Sequence, residues 1–110
     1  VPASHPVHAY RQHIAAAAQD AGVSVTDQAV EVWISVRVPR PKSHMTKQGL
    51  RKSAPLLPRE DVDNVAKAVL DALTCVAWHD DKQVADLHIK KRYGDIGYTE
   101  VTIEQLSALL

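Results

Sequence analysis

The stretch Arg59–Val84, REDVDNVAKAVLDALTCVAWHDDKQV, decides the reading of this chain. Val62, Val65, Ala66, Val69 and Leu73 recur at steps of three and four, the spacing that gathers apolar side chains on one face of a helix. At 3.6 residues per turn, Asp63, Lys67 and Asp71 then rise along a second side, and Asp61 stands at or just before the first turn. The helix is expected to end near Thr74. Cys75–His79 must then turn the chain back, so that Asp80 and Asp81 fall at a loop-to-strand junction. A helix of this length spans about 20 Å, which the segment Cys75–Asp81 can just cover when extended.

One aspartate at a helix start needs no further reason, because it accepts from unpaired backbone N–H groups and meets the positive end of the dipole. Two acids in Asp61-Val62-Asp63-Asn64 exceed what capping requires, and their repulsion calls for a cation. Lys67, four residues after Asp63, can supply part of it through an ion pair. Mg²⁺ or Mn²⁺ fits the rest, since both select hard oxygen ligands and leave coordination positions for water and phosphate.

Working outward, Val7, Tyr10, Ile14, Ala17, Ala18 and Ala21 keep a helical period that Gly22 is placed to end. From Ala29 to Val38 apolar residues alternate with Glu31, Trp33, Ser35 and Arg37, the pattern of a half-buried strand. Pro39 and Pro41 close it. Residues 39–58 read as a basic extended loop, Gln83–Lys91 and Gly97–Ile103 as two further strands, and Glu104–Leu110 as a short closing helix. This order implies an α+β fold: one small mixed sheet with two main helices packed on one face.

The chain has 110 residues, 45% hydrophobic and 24% charged, which fits one compact domain, residues 1–110. No apolar run approaches the ~20 residues of a membrane helix, and residues 1–20 lack the order of a signal peptide, so a cytoplasmic location is expected. Cys75, the single cysteine, is expected to be a buried small hydrophobe. Thirteen basic and thirteen acidic residues cancel in sum but not in place. Between Arg37 and Arg59 lie Arg40, Lys42, Lys47, Arg51 and Lys52 with no acid, whereas Glu60–Asp86 holds seven acids against Lys67 and Lys82. A basic arm leading into an acidic centre suits a metal nuclease: cations grip phosphates and carboxylates recruit the metal. His5, His8 and His13 lack the ligand set of a zinc site, His44 lies in the basic arm and is placed to touch phosphate, and His79 reads as structural. Trp33 and Trp78 read as core or interface aromatics.

Arg59–Leu73 followed by Trp78-His79-Asp80-Asp81-Lys82-Gln83-Val84 resembles the signature of the RusA family of Holliday junction resolvases, in which Asp-x-Asp-Asn-x-x-Lys-x-x-x-Asp-x-Leu precedes Asp-Asp-x-Gln-Val. The resemblance implies a RusA-like fold and a homodimeric, Mg²⁺-dependent endonuclease acting on four-way DNA junctions, with Mn²⁺ as a substitute. It implies Asp61, Asp63 and Asp81 as catalytic metal ligands, with Asp80 as a further candidate, and Lys67 as the catalytic lysine. Arg40, Lys42, Lys47, Arg51, Lys52 and Arg59 are the matching candidates for DNA contact. Family members begin with a strand and a basic loop before the first helix, and Val1–Pro6 is too short for that strand: either the chain is trimmed there or this edge of the sheet is absent. The resemblance also carries an association with the nucleoid and with phage or prophage.

The expected activity is therefore phosphodiester hydrolysis at branched DNA, the two-fold pseudosymmetry of a four-way junction calling for a two-fold dimer. A haloacid dehalogenase-type phosphatase would need an apolar strand before its Asp-x-Asp, and Lys52–Glu60 is charged and proline-broken. A calcium loop would need a central glycine where Asn64-Val65-Ala66 continues a helix. A branched-DNA binding protein without catalysis is the remaining alternative.

Overall fold

The computed structural model describes residues 6–106. In chain order these form α1 (Pro6–Asp20), β1 (Val30–Pro39), the two-residue strands β2 (Met45–Thr46) and β3 (Gly49–Leu50), α2 (Val62–Leu73), β4 (Val84–Gly94) and β5 (Tyr98–Gln105). Single 3₁₀ turns occupy Lys42–His44 and Asp81–Gln83. β2 and β3 make a small hairpin inside the basic loop, which also holds the 3₁₀ turn Lys42–His44 and a series of turns and bends up to residue 60.

β1 is the middle strand of the main sheet, in the order β4-β1-β5. It pairs in parallel with β4 and antiparallel with β5, so the α+β arrangement with a mixed sheet holds. Its period of two is expressed directly: Val30, Val32, Ile34 and Val36 are buried, and Glu31, Trp33, Ser35 and Arg37 are half-exposed on the other face. Ile14 of α1 and Val69, Ala72 and Leu73 of α2 join the buried face of β1 in one core cluster, which places both helices on that side.

β4 and β5 follow one another in the chain yet flank β1 instead of pairing. The link between them therefore crosses the end of β1. A Cβ at Gly97 would stand 2.9 Å from Cδ of Pro39, and one at Gly94 would meet the Arg37 side chain at 3.4 Å. At Gly97 only a residue without a side chain fits. β5 runs through Glu104 and Gln105, which pair with Glu31 and Val30, so the expected closing helix does not begin there; residues 107–110 lie outside the described residues. The expectation of a missing N-terminal strand concerns residues 1–5, which lie outside them too.

Both helices are followed by a residue in the left-handed region, but they end differently: α2 stops at the extended Thr74, and Val76 N–H donates to the Leu73 carbonyl (3.0 Å) across a tight turn. Gly22, at φ 81°, closes α1 with Val23 N–H donating to the Ala18 carbonyl (3.1 Å) and Gly22 N–H to Gln19 (3.0 Å), a Schellman arrangement. After α2 the left-handed residue is Cys75, at φ 72°. That turn directs Cys75 outward, so the cysteine is exposed and not the buried hydrophobe its apolar setting implied. Trp78 takes the interior place instead, fully buried, with Nε1 donating to Thr74 Oγ1 at 3.2 Å. A β-carbon in the left-handed region costs about 1 kcal/mol. Cys75→Gly is therefore expected to stabilise the domain by about that amount and raise its thermal midpoint by about 4 °C, read by circular dichroism.

Candidate active-site cleft

An open cleft of about 770 Å³ lies between α2 and β4. α2 supplies Asp61, Asp63, Lys67 and Asp71 along the side that its apolar stripe leaves free, the 3₁₀ turn supplies Asp81, and Leu87 and Ile89 of β4 form the floor. Four of the expected site residues thus face one space, and Asp80 does not line it. Asp61 occupies the N-cap position of α2, but its side chain makes no capping bond, so the carboxylate is not consumed by the helix end. Asp63 Oδ1 accepts from Asn64 N–H at 3.1 Å. Among the described residues no ion pair joins Lys67 to Asp63; the acid that is paired is Asp71, held by Arg11 of α1 at 3.2 Å.

α2 runs antiparallel to β4, and two side chains of the β4 segment fix its geometry. Lys91 Nζ donates to the carbonyls of Pro58 (2.9 Å) and Glu60, tying the chain just before Asp61 to the late part of β4. Gln83, at the other end, makes four hydrogen bonds: Nε2 donates to the carbonyls of Thr26 (2.8 Å) and Gln28 (2.9 Å), and Oε1 accepts from the N–H groups of His79 (2.8 Å) and Asp80 (3.1 Å). Asp61 and Asp63 consequently sit at one end of the cleft and Asp81 at the other, separated by a span on the order of 15–20 Å set by the α2 and β4 rises. Among the described residues no three His, Cys, Asp or Glu side chains converge into a metal-binding group.

The two adjacent acids divide their work. Asp80 caps the 3₁₀ turn, accepting from Lys82 N–H at 2.8 Å, and with Gln83 forms a reciprocal capping box. The Lys82 N–H above all holds the Asp80 carboxyl below its ordinary range, against an opposing desolvation effect, with the Asp81 side chain and the Lys82 charge also lowering it. Asp81 is left to face the cleft. Gln83, Lys91 and Arg11 hold the elements around the cleft in place, contacts that pattern reading does not reveal. Gln83 alone had a signal, since a glutamine fixed two residues after an acid pair is placed to cap it.

The basic arm is part scaffold and part open. Arg40 lies over the Tyr93 ring at 4.1 Å and donates to the Pro55 carbonyl at 2.7 Å, with His44 edge-on to the same ring. Arg51 Nε donates to the Ser43 carbonyl at 3.0 Å. Lys42, Lys47, Lys52 and Arg59 are exposed. His79 pairs with Asp27 at 2.7 Å, as its structural reading implies. A larger hollow of about 880 Å³ lies between α1 and β5 and touches Asp61 from behind. It is mostly apolar, whereas Lys67, Asp63, Asp71 and Asp81 line the smaller cleft.

Gln83→Ala removes the partners of four backbone groups. It is expected to cost on the order of 2 kcal/mol and to speed amide exchange at His79 and Asp80, read by NMR. For Asp80 the lowered folded-state pKa contributes stability above the unfolded carboxylate value, and that contribution is lost as pH falls through the folded value. Asp80→Asn should therefore reduce the fall in thermal midpoint between neutral and acid pH.

The sequence profile described as Endodeoxyribonuclease RusA matches residues 2–104. A relative described as uncharacterized protein YqaN, from Bacillus subtilis (strain 168), is 33% identical over 105 residues, covering 90% of this chain and 74% of the relative. No helix among the described residues is long and apolar enough to cross a membrane. With the profile spanning both acid motifs and every element from α1 to β5, this chain belongs to the RusA family of endodeoxyribonucleases.

Proposed function

We propose that this protein is a Mg²⁺-dependent endonuclease that resolves four-way DNA junctions by paired phosphodiester cuts. The observation that carries the reading is the cleft itself, in which Asp61, Asp63, Lys67 and Asp81 share one space at the end of a basic arm. The donor set fits the metal by its chemistry, because Mg²⁺ takes one or two carboxylates and completes its shell with water and substrate phosphate. Asp61 and Asp63, together at one end of the cleft, would hold it, with Mn²⁺ as a substitute and with water and substrate phosphate in the positions that Asp81, at the other end, does not reach. When bound, the metal polarises the phosphate and lowers the pKa of the attacking water.

The chain's own groups do the rest. Lys67, unpaired with Asp63, places its ammonium in the cleft to stabilise negative charge building on the phosphate oxygens. Leu87 and Ile89 give that charge an apolar floor, where a fixed cation acts more strongly than in water. Lys42, Lys47, Lys52 and Arg59 bind backbone phosphates without reading sequence, and Arg40 and Arg51 shape the arm that carries them. Two symmetric cuts call for two clefts, hence a two-fold dimer. The work would be done on DNA in the cytoplasm, at the nucleoid.

The absence of a converged three-acid group among the described residues favours one second reading, a junction-binding protein without catalysis. A labelled four-way junction separates the two. The nuclease gives symmetric nicks with Mg²⁺ and none with EDTA, whereas tight binding without nicks in either condition selects the binder. Asp63→Asn is expected to reduce cutting by about 10³-fold while binding persists, and Lys67→Met by about 10²-fold in kcat. Normal turnover in Asp63→Asn would remove that residue from the site.

A further inference from the structure

We infer that Arg11 is a positioning residue of the cleft: by holding Asp71 from α1, it keeps the Lys67 ammonium free to meet a DNA phosphate. The inference rests on the nuclease reading for what Lys67 does and on the two helices for its geometry. Lys67 stands between two acids on one side of α2, Asp63 four residues before it and Asp71 four residues after, and all three line the cleft. At that spacing a lysine can reach either carboxylate. Paired with one of them, its ammonium must break that pair before it can serve a phosphate. In the nuclease reading the metal draws on Asp63, so Asp71 is the acid left to capture the lysine.

Arg11 decides that competition. Its helix packs on α2 through Ile14, three residues on, which joins Val69 and Ala72 in the core cluster. From there Arg11 Nη2 reaches Asp71 Oδ2 at 3.2 Å. Among the described residues Lys67 has no ion pair at all. The two cations also differ in what surrounds them. The Arg11 side chain is 31% exposed and its Nε is buried without a hydrogen-bond partner, whereas Lys67 is exposed. A guanidinium that has lost part of its water depends on the carboxylate it still faces, and it is more weakly hydrated than an ammonium. Arg11 therefore keeps Asp71, and Lys67 stays in the water of the cleft. Without Arg11, Asp71 would stand as an unanswered carboxylate beside Lys67, able both to hold the lysine and to repel the phosphate that the lysine serves.

Arg11→Gln keeps most of the stem and removes the charge. On a four-way junction with Mg²⁺, kcat is expected to fall about tenfold, less than in Lys67→Met, because the lysine is present but held. Adding Asp71→Asn to Arg11→Gln removes the acid that holds it, and kcat should return to within about threefold of wild type. A second readout needs no DNA. Acetylation of Lys67 by an N-hydroxysulfosuccinimide ester, located by mass spectrometry, should slow about threefold in Arg11→Gln and recover in the double variant, since an amine beside a carboxylate is less often uncharged. If Arg11 served only to tie α1 to α2, the second substitution could not restore the tie. Then kcat would stay low in the double variant, or Lys67 would react in Arg11→Gln at the wild-type rate or faster, and either result overturns the inference. Arg11→Lys, which keeps a charge on Asp71 and disturbs the fold least, should hold both rates within about threefold of wild type, and a tenfold loss there would overturn it too. Should wild type itself fail to nick junctions, the nuclease reading falls, while the acetylation rates still decide whether Arg11 keeps Lys67 free.

Discussion

Everything in this domain is referred to β1. Its apolar residues, Val30 through Val36 on alternate positions, are buried, and it is the single strand to which both β4 and β5 are bonded. A slip of one residue would turn that row to solvent, so the register is strongly held. Parallel pairing with β4 has a further effect. A parallel connection cannot be a hairpin and must run back across the sheet, which is the path α2 takes. The helix is thereby forced antiparallel to the strand that follows it, and the two acid motifs it separates in sequence come to opposite ends of one trough.

The parts legible in the sequence were those with a strong period. The three-and-four spacing in Val62–Leu73 and the alternation in Val30–Val38 each reappear as the expected element, because burial on one face is what selected the pattern. The position of Asp80 and Asp81 before a strand followed from the helix end. What escaped reading depended on contacts between distant segments. Strands β4 and β5, joined by so short a link, give no local sign that they straddle β1; only Gly97 against Pro39 records the crossing. Cys75 looked interior from its neighbours, but a left-handed backbone at one residue reverses where a side chain points. Arg40 looked like a free cation, yet Tyr93 lies beneath it from half a chain away.

The acid pair shows how a short motif can hold two unlike tasks. Asp80 spends its carboxylate on the backbone of its own turn, and Gln83 accepts from the N–H groups of His79 and Asp80, with Thr26 and Gln28 as its anchor. A side chain on a turn held by several hydrogen bonds loses little further backbone freedom on meeting a partner. Asp81 therefore begins from an ordered backbone, and Asp61, behind the tether from Lys91, does the same.

The sheet's order also bears on how the chain acquires its shape. Val30 meets Val84 and Gln105, partners separated from it by half the chain and more. During synthesis the most apolar strand must wait, without a neighbour, until more than fifty further residues have left the ribosome. Over that interval α1, which can form from local bonds, and the polar residues between β1's valines are its main shields against sticking to other chains.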